Sequence, residues 1–184
     1  MDIKHTVYNL ELNKSIHVFD NILPLSVRNN IFTIAQNSKF ELGWSDTNIP
    51  ENKSQDCFIH SVWDTDKIIN ETKLFHFITT PLLSLLDGLS VSRVVLNLTV
   101  PVDVNHIHTH KESKVLLYYV NLDWNEAFHG ETQFWSEDLK RIQFSSPYVP
   151  GRLILFDADI PHTIRPQSII GPKFRFTLSI LLNK

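Results

Sequence analysis

Apolar residues recur along this chain in two different rhythms, one in each half. In the first half the spacing is helical: Val27, Ile31, Ile34 and Ala35 fall on one stripe. The stripe follows Asp20-Asn21 and Ile22-Leu23-Pro24-Leu25, which read as a start signal for a helix ending near Gln36. Residues 40–44 look like a strand, a polar loop follows through Asn48-Ile49-Pro50-Glu51-Asn52-Lys53, and residues 58–63 look like a second strand. A second helix is predicted from Asp66 to about Leu86, with Ile69, Thr72, Phe75, Ile78 and Leu82 on one side and Pro81 as its candidate break.

From Ser90 the texture changes to short β-branched and aromatic runs separated by turn residues. Residues 94–100, 115–120, 153–156 and 174–182 are the clearest. The last of these alternates strictly: Phe174, Phe176 and Leu178 against Arg175, Thr177 and Ser179. Such spacing predicts an antiparallel sandwich or jelly roll. The expected architecture is mainly β with two supporting helices. Residues 1–184 form one domain, in which 1–89 support a jelly-roll core at 90–184.

Composition narrows this picture without redirecting it. A chain of 184 residues with 42% hydrophobic and 20% charged residues is an ordinary globular domain. A net charge of -3 argues against a dedicated nucleic-acid binder. The single cysteine, Cys57, excludes an internal disulfide framework, and neither a signal pattern nor a membrane-length apolar run is present. A cytoplasmic, soluble protein is the expectation.

The candidate chemistry lies in histidines. His106, His108 and His110 alternate, so on a strand their imidazoles share one face, and two of them can chelate one ion. His162 follows an apolar strand and Pro161, well placed to reach across from another strand. Arg175 belongs to the polar face of the last strand. If that face lines the interior, the guanidinium needs an anionic partner, and a planar carboxylate suits it. Asp157 and Asp159 are candidates for hydrogen bonds to a ligand's second ring nitrogen, or simple turn residues. Trp124, Phe134 and Trp135 read as core or pocket lining, His60 and Trp63 as packing or surface residues, and His129 as no ligand.

Several motifs in this order resemble the Fe(II)/2-oxoglutarate oxygenases, in particular the prolyl-hydroxylase-like branch with the hypoxia-type enzymes. Tyr118-Tyr119-Val120-Asn121-Leu122-Asp123-Trp124 resembles that branch's Tyr-Tyr-Leu-Asn-x-x-Trp strand, and Gly130-Glu131-Thr132-Gln133-Phe134 its Gly-Gly-x-Thr/Leu-x-Phe turn. Residues 150–157 with Pro161-His162 and Pro166 resemble the strand that delivers its distal ligand. The match covers roughly residues 94–182.

The resemblance implies a double-stranded β-helix, a non-haem iron and 2-oxoglutarate as co-substrate, with ascorbate as an accessory reductant. It implies O₂ as a reactant and a hydroxylated C–H bond, with succinate and CO₂ released. The first expectation for the substrate is a prolyl or other peptidyl residue. By position, His108 and His162 would ligate the metal, Arg175 would bind the C5 carboxylate of 2-oxoglutarate, and Tyr119 would donate a hydrogen bond to that same carboxylate.

The chain departs from the family where it has His110 in place of the usual Asp or Glu. His110 as third ligand, giving a three-histidine site, is the first reading; a slipped register that uses Glu112 and an altered site are the alternatives. Two other classes stay open: a cupin-like three-histidine metalloenzyme that does not use 2-oxoglutarate, and a binding module without catalysis.

Overall fold

Alternation along the last strand organises the whole molecule. The computed structural model describes residues 2–44, 58–64, 67–101, 103 and 106–184. In it β11 (Arg175–Asn183) runs antiparallel between β5 (Ser90–Thr99) and β6 (Lys114–Tyr119). Its even-numbered residues Phe176, Leu178, Ile180 and Leu182 pack toward the helices, while Arg175, Thr177, Ser179 and Leu181 face inward around a cavity. The neighbours obey the same rule. Val94, Leu96, Leu116 and Tyr118 join the helix-side core, whereas Val95, Val115, Leu117 and Tyr119 join the interior one. Two buried apolar layers on one sheet require strands that are apolar on both faces, as these runs are.

The sheet continues on both sides. In spatial order it is β1 (Lys4–Asn9), β2 (Ser15–Asp20), β9 (Leu153–Asp157), β6, β11, β5, β4 (Phe58–Trp63) and β3 (Glu41–Trp44). A second sheet of three strands, β10 (His162–Ile164), β7 (Thr132–Trp135) and β8 (Ile142–Ser146), closes over its inner face. The strand pairings among the described residues are antiparallel. The fold is a double-stranded β-helix, or jelly roll, with helices α1 (Leu25–Gln36) and α2 (Leu74–Leu86) on the outside of the large sheet. No helix among the described residues is long and apolar enough to cross a membrane.

Helix boundaries differ from those expected. α1 starts at Leu25 with Pro24 as its N-cap and no side-chain cap. Asp20 instead ends β2, where its carboxylate accepts two hydrogen bonds from Arg152, at 2.7 and 2.9 Å. The second helical stretch is interrupted at Lys73 and not at Pro81. A π-helical turn over Lys67–Thr72 ends at Lys73, which has φ 57°, and α2 carries Pro81 inside it. The loop at 48–53, Cys57, Asp66 and Asn105 lie outside the described residues.

Candidate metal centre

The site begins with a β-bridge. His108 and His162 exchange both backbone hydrogen bonds, N–H to carbonyl, at 3.0 Å each. Directly opposed residues of a bridge send their side chains to the same face. His110, two residues on, shares that face, and its N–H donates to the Ala158 carbonyl at 2.8 Å. The three rings therefore converge. Centroids lie 4.4 Å apart for His108 and His162, 5.1 Å for His108 and His110, and 5.0 Å for His110 and His162. One nitrogen from each ring lies within 4.8 Å of the others.

Two tautomers follow from the hydrogen bonds. Nδ1 of His108 lies 3.0 Å from the His106 carbonyl, and Nδ1 of His162 lies 2.9 Å from the Ile160 carbonyl. A carbonyl only accepts, so each Nδ1 carries the proton and each Nε2 offers a lone pair to the cluster. Nε2 of His110 is 3.3 Å from Nε2 of His162. Burial, with His108 and His110 alongside, pushes the His162 pKa well below its ordinary value, which keeps that ring neutral. Phe156 meets His162 edge to face at 4.9 Å, and Phe134 packs against Phe156. These buried rings form a dry wall behind the imidazoles. The arrangement can hold one divalent transition-metal ion through three nitrogens on one side.

Arg175 lies in the same cavity, fully buried, on the inward face of β11. Its Nε donates to the Gly130 carbonyl at 2.9 Å. Its guanidinium sits 4.7 Å from the centroid of Tyr148 and 5.6 Å from that of Tyr119, and those two rings stack on each other. Nη1 and Nη2 have no hydrogen-bond partner among the described residues. Burial lowers the guanidinium's pKa, an effect opposed by Tyr148, Tyr119 and Glu131, but arginine stays charged. A buried cation with two unpaired N–H edges can take up an anion.

Gly130 makes the close approach possible. Its φ is +81°, and a Cβ there would lie 3.1 Å from Cδ of Arg175 and 3.2 Å from its Nε. Tyr119 is buried next to the arginine, but its hydroxyl donates to Thr132 Oγ1 at 2.8 Å. Thr132 lines the cavity. Having accepted from Tyr119, the Thr132 hydroxyl keeps its own proton for a group in the cavity.

The remaining candidates lie elsewhere. The Glu112 carboxylate is 3.4 Å from Arg93 and stands outside the three-histidine cluster, as does His106. Asp157 pairs with Lys114 at 2.6 Å and Asp159 with Lys14 at 3.1 Å; backbone carbonyls take the second-nitrogen role expected of them. Trp63 packs in the helix-side core, and His60 is buried opposite Asn97 on β4. His129 has φ 59° and offers its carbonyl to Trp124 Nε1 at 2.9 Å.

Pattern reading missed Thr132, Asn97 and Tyr148. Asn97 was discoverable as the polar inward step between Val95 and Thr99. Tyr148, flanked by Pro147 and Pro150, lies in no periodic run.

Solved structures with this architecture are similar over most of the chain. A prolyl hydroxylase from Trichoplax adhaerens, in complex with a hypoxia-inducible-factor oxygen-degradation-domain peptide, matches with a TM-score of 0.67 at 14% identity, covering 91% of this chain and 83% of that one. A prolyl-4-hydroxylase from Pseudomonas putida matches at 0.64 and 14% identity, covering 92% of each. The non-haem α-ketoglutarate-dependent epimerase SnoN from nogalamycin biosynthesis matches at 0.60 and 12%, over 92% of this chain and 78% of the other. At such identities the likeness is one of fold. No protein-family model matches the chain, and no curated protein matches it by sequence.

Proposed function

We propose that residues 1–184 form one Fe(II)- and 2-oxoglutarate-dependent oxygenase domain that hydroxylates a C–H bond, a prolyl or other peptidyl residue being the first substrate class to test. The observation that carries the reading is a single cavity lined by three convergent imidazoles and by an inward arginine with two unpaired Nη groups. One element calls for a metal and the other for a carboxylate. A 2-oxo dicarboxylic acid presents a chelating end and a distant carboxylate, so it serves both. The neighbours of the same fold include enzymes described as prolyl hydroxylases and one described as α-ketoglutarate-dependent.

His108, His110 and His162 would hold the iron, and Arg175 the C5 carboxylate. Iron with the 2-oxo acid and O₂ supplies oxidation of R–H to R–OH coupled to release of succinate and CO₂. The chain's own contribution is placement. The carbonyls of His106 and Ile160 fix the two Nε2 lone pairs, and the Tyr148 and Tyr119 faces hold the guanidinium plane. Thr132 would donate a hydrogen bond to the same carboxylate, with Tyr119 acting through it. Phe134 and Phe156 keep water away.

The test is succinate formation from 2-oxoglutarate with Fe(II), with and without added ascorbate. Wild type is expected to turn over and His162→Ala to be inactive. Arg175→Ala is expected to raise the KM for 2-oxoglutarate at least about 100-fold, because two charge-assisted hydrogen bonds are lost. Unchanged succinate formation in Arg175→Ala would overturn the assignment of Arg175 to the C5 carboxylate. No succinate from the iron-loaded wild type would favour the cupin-like reading, a three-histidine metalloenzyme without 2-oxoglutarate, which the replacement of a carboxylate by His110 already invites.

A further inference from the structure

The cavity has a charge deficit. Its described lining residues include three histidines and Arg175 but no aspartate or glutamate. The surrounding carboxylates are committed elsewhere: Glu112 to Arg93, Asp157 to Lys114, Asp159 to Lys14, and Glu131 to Arg165 at 2.9 Å. Asp103 caps the Val100 N–H at 2.7 Å. A divalent ion held by three neutral imidazoles keeps its full double charge, and Arg175 adds one. A 2-oxoglutarate dianion cancels two of these three charges. One positive charge is then left in a space walled by buried aromatic and aliphatic side chains, where an uncompensated charge is costly.

A second feature points the same way. Thr177, one inward step along β11 from Arg175, is buried to 1% exposure, lines the cavity, and has a hydroxyl with no hydrogen-bond partner among the described residues. Asn97, beside it in register, already gives its amide to Ser179 Oγ at 3.3 Å. A buried hydroxyl that keeps its proton is a donor in search of an acceptor.

We propose that this site binds a monoanion in addition to the co-substrate, within the cavity that His110 and Thr177 both line. The anion is either a free ion or the carboxylate of the primary substrate. His110 creates the requirement by standing where a charged ligand would otherwise neutralise the centre, and Thr177 supplies a hydrogen bond. The inference rests on the three-histidine metal reading and does not depend on turnover.

The experiment follows the visible spectrum of the Co(II)-loaded full chain. It is titrated at constant ionic strength with sodium chloride, sodium acetate and N-acetylglycine, with and without saturating 2-oxoglutarate. A saturable change is expected, weakened at least about tenfold in Thr177→Val, where one hydrogen bond to a charged group is lost. It should be abolished in His110→Asp, where the carboxylate supplies the missing charge internally. Chloride and acetate binding as tightly as N-acetylglycine would identify a free ion. N-acetylglycine binding at least about tenfold tighter would identify a substrate carboxylate.

The proposal is overturned if none of the three anions perturbs the wild-type spectrum, or if wild type, Thr177→Val and His110→Asp respond alike. Failure of 2-oxoglutarate to bind would strike the co-substrate assignment instead, and the anion titration on the Co(II) protein would still be readable.

Discussion

Gly130 touches Arg175 twice, through the carbonyl that takes its Nε proton and through the missing Cβ that lets its side chain lie flat. Gly130→Ala is therefore expected to act on two measurements. The positive φ should cost about 1–2 kcal/mol, read as a drop of a few degrees in melting temperature for a chain of this size. Displacement of the guanidinium should raise the KM for 2-oxoglutarate while kcat changes less. Tyr148 separates stability from binding in another way. Its hydroxyl accepts from the Asn121 N–H at 2.9 Å, so Tyr148→Phe leaves that buried donor unpaired. The expected loss is about 1–3 kcal/mol in chemical denaturation, with 2-oxoglutarate affinity retained because the ring face over Arg175 survives. Tyr148→Leu removes the face as well and should weaken both. Equal KM values in the Phe and Leu variants would show that the ring does not position the arginine.

At the scale of elements, what could be read from the chain depended on contrast between faces. β11 announced itself because one face is apolar and the other carries Arg175, Thr177 and Ser179, and this alternation also put Arg175 on the inward face. The histidine run and His162 were readable for the same reason: side chains two apart share a strand face, whatever the partner strand is. β2 was not visible, since Ile16, Val18 and Phe19 are buried on opposite sides of the sheet and the period-two contrast disappears. β7 and β10 span only Thr132–Trp135 and His162–Ile164, too short for a period to emerge. His110 ranked ahead of Glu112 on spacing alone, but the partner that Glu112 takes, Arg93, is remote in sequence and was not readable.

The hairpin of β1 and β2 also carries a pH response. Burial, then His5 and Lys114, depress the His17 pKa from 6.5, partly offset by Asp157. Below 6.5 the unfolded chain binds a proton that folded His17 resists, so stability rises with pH through that window and levels off above it. Denaturation midpoints measured from pH 5 to 8 should show this rise. His17→Gln should flatten part of it, and an unaltered pH profile in that variant would refute the assignment.

For the molecule as a whole, the three histidines join two pieces of chain that are far apart in sequence, the segment at 106–110 and β10. Any ion that binds only the folded cluster must stabilise the entire jelly roll. At a free metal concentration of one hundred times Kd the gain is about 2.7 kcal/mol. Co(II) or Fe(II) added under argon is expected to raise the melting temperature of wild type, EDTA to reverse the rise, and His162→Ala to show neither effect. An equal rise in His162→Ala would place the ion elsewhere.

The reciprocal backbone bridge between His108 and His162 has a consequence for how such a protein changes over time. Two of the three donors are spaced by the ladder itself, so their separation survives any replacement at the third position. The barrel thus behaves as a socket with two fixed pins and one exchangeable pin. On the proposed metal reading, a single codon at His110 would retune the charge, and with it the choice of ion and guest, without refolding the strands that hold the other two.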